Sequence, residues 1–415
     1  MTSFAHADDF DIVVAGGGMI GASAALALAP LGLRIAVVEA AVRGGVDQPS
    51  FDERSTALSR SSQRLFDALG LWRSIRESAA PIRHIHVSDQ GRFGFAHIDA
   101  GQQQVEALGY VVINRSLGAV LQAALQATPN ITEYCPAEVT AVETSTERVL
   151  IRMLDQGTAR SCAASLLVVA DGAGSSVREQ LGIGVARKDY GQYAVIGNLE
   201  CERPVGDTAY ERFSTQGPLA VLPVPGERAA FVWTVGKHDV SRLQVLPDEA
   251  FIVELQCAFG NRLGGFRRVG KRAMYPLALS QALRVTATRS VLVGNAATGL
   301  HPVAAQGFNL GLRDIATLGD CVADALADSS SAFAIGEPAV LERYANWRRA
   351  DRQKLVGFTD GLVELFKTGR RPLRTARNLA MLAFDLVPGV RREFARHTMG
   401  LAGRLPRLSR GVPLR

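Results

Sequence analysis

The residues Gly16-Gly17-Gly18-Met19-Ile20-Gly21 have the spacing G-x-G-x-x-G. Glycines so placed serve phosphate chemistry. Gly16 permits a tight turn, Gly18 lets a pyrophosphate approach bare backbone, and Gly21 lets the following helix pack close to its strand. A helix starting here offers unpaired N–H groups and the positive end of its dipole to the phosphates. Glu39 ends the next apolar run. A carboxylate there accepts hydrogen bonds from the ribose hydroxyls of an adenosine and repels a 2′-phosphate. A second turn, Asp171-Gly172-Ala173-Gly174-Ser175-Ser176-Val177-Arg178, follows another apolar run, and a third glycine-bearing stretch runs from Gly294 to Gly311. The chemistry indicated is the binding of an ADP-containing dinucleotide, and at this level FAD and NAD are both open. No Ser/His/Asp or metal-ligand constellation competes with it. His84 and His86 share a strand face, and His97 lies nearby, but no third ligand is spaced to close a metal site.

The elements around these residues give them positions. Ile12-Val13-Val14 reads as a strand, Ala22 to Leu31 as an alanine-rich helix, and Leu33 to Val38 as a second strand. Arg54 falls in a loop before a helix that Ser59 caps. His84 to Ile98 alternates around Asp89-Gln90-Gly91, which predicts a hairpin. Leu117 to Leu125 reads as a helix, with strands near Val139 and Val149. The continuous run Leu166 to Ala170 has the pattern of a buried parallel strand. From Tyr193 to about Leu279, aromatic and β-branched residues alternate between Pro and Gly punctuation, which predicts an antiparallel sheet forming a substrate-covering domain. Val291-Leu292-Val293 then returns the chain to the first domain, with a helix to about Leu326. The expected boundaries are 1–80, 101–190 and 281–335 for the dinucleotide domain, 81–100 and 191–280 for the substrate domain, and 336–415 for a helical, basic C-terminal region.

The totals restrict the function class. An apolar content of 47% with 21% charged residues is a soluble balance that can bury a large core. No run of about 18 uncharged apolar residues offers a membrane span, and the first residues lack a secretory leader. Five scattered cysteines without a C-x-x-C pair predict free thiols in a reducing cytosol. The net charge of +6 is uneven: Lys367 to Arg415 holds twelve Lys or Arg against two acids, +10, so the rest carries −4. Within that stretch Leu379, Leu382 and Leu386 form a helical apolar stripe flanked by arginines. It reads either as a helix packing on the body or as a peripheral attachment to anionic lipid, where each near-surface Arg contributes about 1 kcal/mol. No nucleic-acid recognition motif accompanies the charge. The expected location is the cytoplasm, with peripheral contact at the inner membrane.

Taken together, the glycine turn with Glu39, the Asp171-Gly172 turn and the Gly294 to Gly311 segment resemble the class A flavoprotein aromatic hydroxylases, over almost the whole chain. Leu300-His301-Pro302-Val303-Ala304-Ala305-Gln306-Gly307-Phe308-Asn309-Leu310-Gly311 is similar to the H-P-x-A-G-Q-G-x-N-x-G signature of the ubiquinone-synthesis hydroxylases in that class. His86-Val87-Ser88-Asp89, Glu211-Arg212-Phe213 with Gly217-Pro218-Leu219-Ala220, Tyr275-Pro276-Leu277-Ala278-Leu279 and Gly294-Asn295-Ala296-Ala297 resemble the branch acting on a 2-polyprenyl-6-methoxyphenol. Two positions depart. Asn295 stands where most of the class has Asp, keeping a hydrogen bond but not a charge. Ala305 replaces the first glycine of G-Q-G and leaves less room against a flavin.

The resemblance implies an α/β fold: a Rossmann-like FAD-binding domain interleaved with an antiparallel-sheet substrate domain of the p-hydroxybenzoate hydroxylase type, and a helical C-terminal region. It implies FAD, NADPH or NADH as reductant, and molecular oxygen. Gly16, Gly18, Gly21 and Glu39 would hold the ADP half. Arg54 and Arg115 would approach the flavin's phosphate or ribityl side, where Asn295 would meet a ribityl hydroxyl. Asp171 and Gly172 would border the pyrophosphate and the reductant's path. Pro302, Gln306, Gly307 and Asn309 would lie along the isoalloxazine. The implied reaction is monooxygenation of a polyprenylated phenol in ubiquinone biosynthesis through a flavin hydroperoxide, with other ubiquinone-synthesis proteins as partners in a complex. The residue that removes the phenol proton is not legible. The alternatives are a hydroxylase of a soluble phenol or of another ring position, a flavin-dependent reductase of prenyl chains, and a non-catalytic dinucleotide-binding scaffold.

Overall fold

A computed structural model describes residues 8–42, 54–90, 95–214, 216–299, 306–329, 331–367 and 388–414. Strand β1 (Asp8–Ala15) leads into helix α1 (Met19–Leu28) and strand β2 (Ile35–Val38). Next come β3 (Ser55–Ser59), α2 (Arg60–Ala68), α3 (Trp72–Arg76), β4 (Ala79–Ile82), β5 (His84–Asp89), β6 (Phe95–Asp99), β7 (Gly109–Ile113) and α4 (Asn114–Ala127). The chain goes on through β8 (Ile131–Tyr134), β9 (Ala137–Thr144), β10 (Val149–Asp155), β11 (Thr158–Val169) and α5 (Ser176–Gln180). Ser59 caps α2 as expected, its hydroxyl accepting from the Ser62 N–H. The residues before it, expected as loop, pair with β7 as a strand from Ser55 onward.

The first sheet runs β8, β2, β1, β11, and then β19 (Ser290–Leu292) and β18 (Thr286–Ala287), with β10 and β9 added antiparallel beyond β11. Its centre is parallel: β1 pairs with both β2 and β11, and β11 with β19. Strands flanked on both sides and covered on both faces must be apolar throughout. Alternation sorts them. Ile12, Val14, Ile35, Val37, Leu166 and Val168 join the core under α1 and α8 (Gly307–Ser329). Val13, Ala15, Ala36, Val38, Leu167 and Val169 join the core on the opposite face with β10. Each large aliphatic side chain so buried contributes about 1.5–3 kcal/mol.

Among the described residues the second sheet has nine strands. It takes the hairpin β5–β6 and then β12 (Val185–Cys201), β13 (Thr208–Phe213), β14 (Pro218–Pro223), β15 (Arg228–Gly236), β16 (Phe266–Val269), β17 (Ala273–Ala282) and β20 (Thr298–Gly299). Helices α6 (Val240–Val245) and α7 (Asp248–Phe259) interrupt what the sequence had suggested was sheet alone. The reason is visible in α7. Phe251, Leu255 and Phe259 recur at helical spacing and cover Phe231, Trp233 and Val195 on the sheet's outer face. On the inner face Ala209, Ala230 and Leu222 meet Ala57, Ile82 and Val111, and this contact joins the two domains. The small sheet β3-β7-β4 supplies that seam.

Helix α9 (Pro338–Lys367) packs along α8. The helix Pro388–Thr398 and the segment after it dock on the body. Ala395 and Met399 pack with Ile98 and Leu108, Leu408 and Leu414 enter the main core, and the Arg407 N–H donates to Asp320. The stripe at Leu379, Leu382 and Leu386 lies outside the described residues, among which no helix is long and apolar enough to cross a membrane.

Candidate active site

Ligands of open α/β sheets gather where the strands end. The carboxyl ends of β1, β2, β11 and β19 lie side by side, and each carries one of the residues picked out by the sequence. The ladder runs past the strand ends into the turns. The Gly16 N–H donates to Val38 O at 2.8 Å, Ala170 N–H to Ala15 O at 2.7 Å, and Val293 N–H to Val169 O at 3.0 Å.

The three distant turns meet. Gly16 has φ +99°, and a Cβ there would stand 2.6 Å from Ala170 O and 2.8 Å from Asp171 N. The glycine turn thus rests on the Asp171-Gly172 turn. Gly21 lies so close to Gly16 that an added Cβ would be 1.7 Å from the Gly16 carbonyl oxygen. Gly294 and Gly311 both press on Ile20, whose Cγ2 would be 3.0 Å from a Cβ at Gly294. Ile20 is therefore the apolar peg between the first and third turns. Its one mark in the sequence is to be a large residue inside a glycine run.

Glu39 holds the first turn. One carboxylate oxygen accepts the Gly17 N–H at 2.6 Å and the other the Ala41 N–H at 2.8 Å. Both oxygens keep lone pairs for ribose hydroxyls. Gly17 is required here too, because a Cβ would sit 2.8 Å from the Glu39 Cβ. Asp171 accepts the Val177 N–H at 3.2 Å through Oδ2, while its buried Oδ1 has no partner among the described residues. Burial raises the Asp171 carboxyl above its ordinary range, and local hydrogen bonds oppose that rise.

The third turn is clamped from behind. The Gly294 N–H donates to Asp314 Oδ2 at 3.0 Å. Asp314 Oδ1 accepts from Arg348 Nε at 2.7 Å, with both side chains fully buried, and from Arg352 Nη2 at 3.1 Å. The Tyr344 hydroxyl donates to Leu292 O at 3.0 Å. One ionic cluster on α8 and α9 thereby fixes both the last residue of β19 and the first of the turn. The sequence offered no signal for it beyond charged residues in apolar helices.

The remaining expected residues occupy distinct places. Asn295 is exposed in the turn after β19, and Gly307 opens α8, with Gln306 just before it. A Cβ on Gly307 would meet nothing within 4 Å. The Asn309 amide is spent within the fold: Nδ2 donates to Ala57 O, and Oδ1 accepts from Ser59 N–H and Ser62 Oγ. Its effect is to lock α8's first turn to β3 and α2. Arg54 precedes β3, and its guanidinium lies 4.9 Å from the Tyr275 ring centre on the substrate sheet. Arg115 is exposed in α4's first turn, next to Asn114, whose N–H donates to Arg54 O at 2.8 Å. Pro302 lies outside the described residues. His86 and His97 face each other across the hairpin. Burial pushes the His86 imidazole down to about 4, so it stays neutral. No metal-ligating group forms among the described residues.

A dinucleotide fits this edge. Helix α1 begins without a side-chain cap, so its first N–H groups are available to phosphate. Asp171 Oδ1 is an orphaned buried acceptor, and the space beside Gly172 is open. The fold and the site together define a dinucleotide-binding protein with a second sheet laid against its first domain.

The chain belongs to the family described as FAD binding domain, whose model matches residues 9–359, and within it to the class A hydroxylases of the ubiquinone-synthesis group. It is 39% identical to the ubiquinone hydroxylase UbiL of Rhodospirillum rubrum, over 97% of this chain and 93% of that protein. It is 31% identical to the 3-demethoxyubiquinol 3-hydroxylase of Escherichia coli, over 94% and 98%. Among solved structures, p-nitrophenol 4-monooxygenase from Pseudomonas putida shares the fold at a TM-score of 0.79, with 20% identity over 96% of this chain and 99% of that one.

Proposed function

We propose that this monooxygenase hydroxylates the ring of a polyprenylated phenol, 2-polyprenyl-6-methoxyphenol, on the route to ubiquinone, using oxygen and NADPH or NADH. The observation that carries the reading is the meeting of three dinucleotide turns beside a sheet whose inner face is apolar and partly open. The names of the two relatives support the pathway. Bound FAD supplies the activation of oxygen. Gly16, Gly18, Gly21 and Glu39 hold its ADP half, with Asp171 and Gly172 beside the pyrophosphate. Arg54, Arg115 and Asn295 serve the ribityl side. Pro302, Gln306 and Gly307 border the ring, and Asn309 acts by fixing α8. The apolar sheet face excludes water, so activated oxygen is spent on the substrate ring.

Product analysis tests the reading. The purified, FAD-loaded protein receives reductant, oxygen and a panel of prenylated and short-chain phenols. The expected result is a ring-hydroxylated prenylated phenol. Products from short-chain phenols alone would favour a soluble substrate, and peroxide without product would remove the reading.

We further propose that the enzyme is cytoplasmic, in peripheral contact with the inner membrane, and associates with other ubiquinone-synthesis proteins. Because Pro388–Leu414 docks on the body, truncation would disturb the fold. Arg370, Arg371, Arg374 and Arg377 changed together to Gln should lower co-sedimentation with anionic vesicles, and sedimentation equal to wild type would refute the contact.

A further inference from the structure

The inner face of the substrate sheet can be read row by row from its register. Ile85, Ala209, Leu222 and Ala230 form one row. Its members Ala209 and Ala230 are buried, in a cluster that also holds Ala57, Ile82 and Val111 of the flavin domain. Two residues further along, Val87 pairs with Glu211, Glu211 with Ala220, Ala220 with Val232, and Val232 with Ile196. All five are only partly buried. The next row includes Thr234, Ala194 and Tyr275, with Arg54 reaching the Tyr275 ring from the flavin domain. The middle row therefore lies where the two domains part, between their packed seam and the Arg54 contact. On the other face the same strands are sealed by α7, with Leu219, Val221 and Phe231 at 0% exposure. The middle row is more exposed than the seam beside it, and it is apolar except at Glu211.

Glu211 has no hydrogen-bond or ion-pair partner among the described residues. A carboxyl on a sheet face otherwise made of Val, Ala and Ile gains nothing for stability, since burial disfavours its charge without compensation. Asp89, Tyr275 and Arg54 are the titratable or charged groups of the adjoining rows, and none of them acts on it. Burial alone does, pushing its carboxyl up to about 7. The residue keeps some exposed surface while its carboxyl is stripped of most hydration, and a group lining a cleft has both properties.

Resting on the function proposed above, we infer that Glu211 receives the phenolic proton of the substrate, whose ring lies on the floor formed by Val87, Ala220, Val232 and Ile196. In this step the phenol O–H bond breaks and the proton joins a Glu211 carboxylate oxygen. The electron pair stays on the phenolate oxygen and feeds the ortho and para ring carbons. No electron is transferred, and Glu211 returns the proton to water before the next turnover. A phenol ionises near ~10 and an ordinary glutamate near ~4.3. An acceptor raised toward neutrality narrows that gap while remaining largely ionised above pH 7.

The test compares the wild-type holoenzyme with E211Q and E211D, using a 2-methoxyphenol with a short prenyl chain as probe. The kcat for hydroxylation is followed against pH at saturating probe and reductant, and FAD content and melting are measured separately. In the wild type kcat should rise with pH through a bend near pH 7, where Glu211 ionises. In E211Q the bend should vanish and kcat should fall by about 10²–10⁴-fold, with FAD content unchanged and the melting temperature above pH 7 no lower. E211D should fall between the two. Should E211Q fail to fold, E211D is read alone, and a wild-type bend and rate in it overturn the role. A wild type that hydroxylates while E211Q matches it in bend and rate overturns the role of Glu211 alone. A wild type that hydroxylates no phenol overturns the function proposed above and this role with it.

Discussion

Replacing Asp314 with alanine is expected to cost about 3–5 kcal/mol of stability and to strip the protein of flavin. The magnitude is that of removing one partner from a buried ion pair, which leaves the other charge uncompensated. Asp314 and Arg348 are both at 0% exposure, and Arg352 shares the same carboxylate oxygen. The loss would leave Arg348 with Asp351 and Arg352 with the Tyr344 hydroxyl, and would take away the carboxylate that the two guanidiniums share. Replacing the whole cluster with apolar side chains would remove those charges as well and should cost much less. The flavin effect has a separate cause. Asp314 Oδ2 accepts from the Gly294 N–H, so its removal frees the turn that carries Asn295. Thermal unfolding and the ratio of FAD to protein after purification measure the two effects. An Asp314→Ala protein with wild-type melting and full FAD would show that the cluster does not hold the turn.

Gly21→Ala should exceed about 4 kcal/mol, the range reached by few single substitutions. Its Cβ would stand 1.7 Å from the Gly16 carbonyl oxygen. That obstacle is backbone, held in turn by the Gly16 N–H bond to Val38 O, and no rotamer change relieves it. The same substitution at Gly307 gives the contrast. Its Cβ would meet no protein atom within 4 Å, so Gly307→Ala should leave the apoprotein's melting temperature unchanged or slightly raised. If the isoalloxazine lies against Gly307, FAD affinity should still fall. Soluble expression and melting of apoprotein separate the pair, followed by FAD titration. Gly307→Ala with undiminished FAD affinity would place the ring elsewhere.

The residues visible in the sequence share one property: local spacing fixes what they do. G-x-G-x-x-G between a strand and a helix dictates a turn, Glu39 follows at the end of the next strand, and Ser59 caps its helix within three residues. Helix α7 was equally local, at Phe251, Leu255 and Phe259, yet the surrounding β-branched texture outweighed its period. The strand Ser55–Ser59 was hidden for a different reason. It is a strand because β7 lies beside it, and that partner is fifty or more residues away in the chain.

What the sequence determined by itself was the cofactor class and the parallel centre of the sheet, because glycine spacing and continuous apolar runs act through neighbours in the chain. Tertiary structure alone decided which backbone groups the Asp314 cluster holds, since its members come from two helices. It also decided that Ile20 wedges the first turn against the third and that Asn309 turns inward. It decided the setting of Glu211 as well. A shift of one residue in the register of β13 would have turned that carboxylate to the opposite face of the sheet, and the register is set by the local hairpin with β14 together with the pairing to β5, far away in the chain.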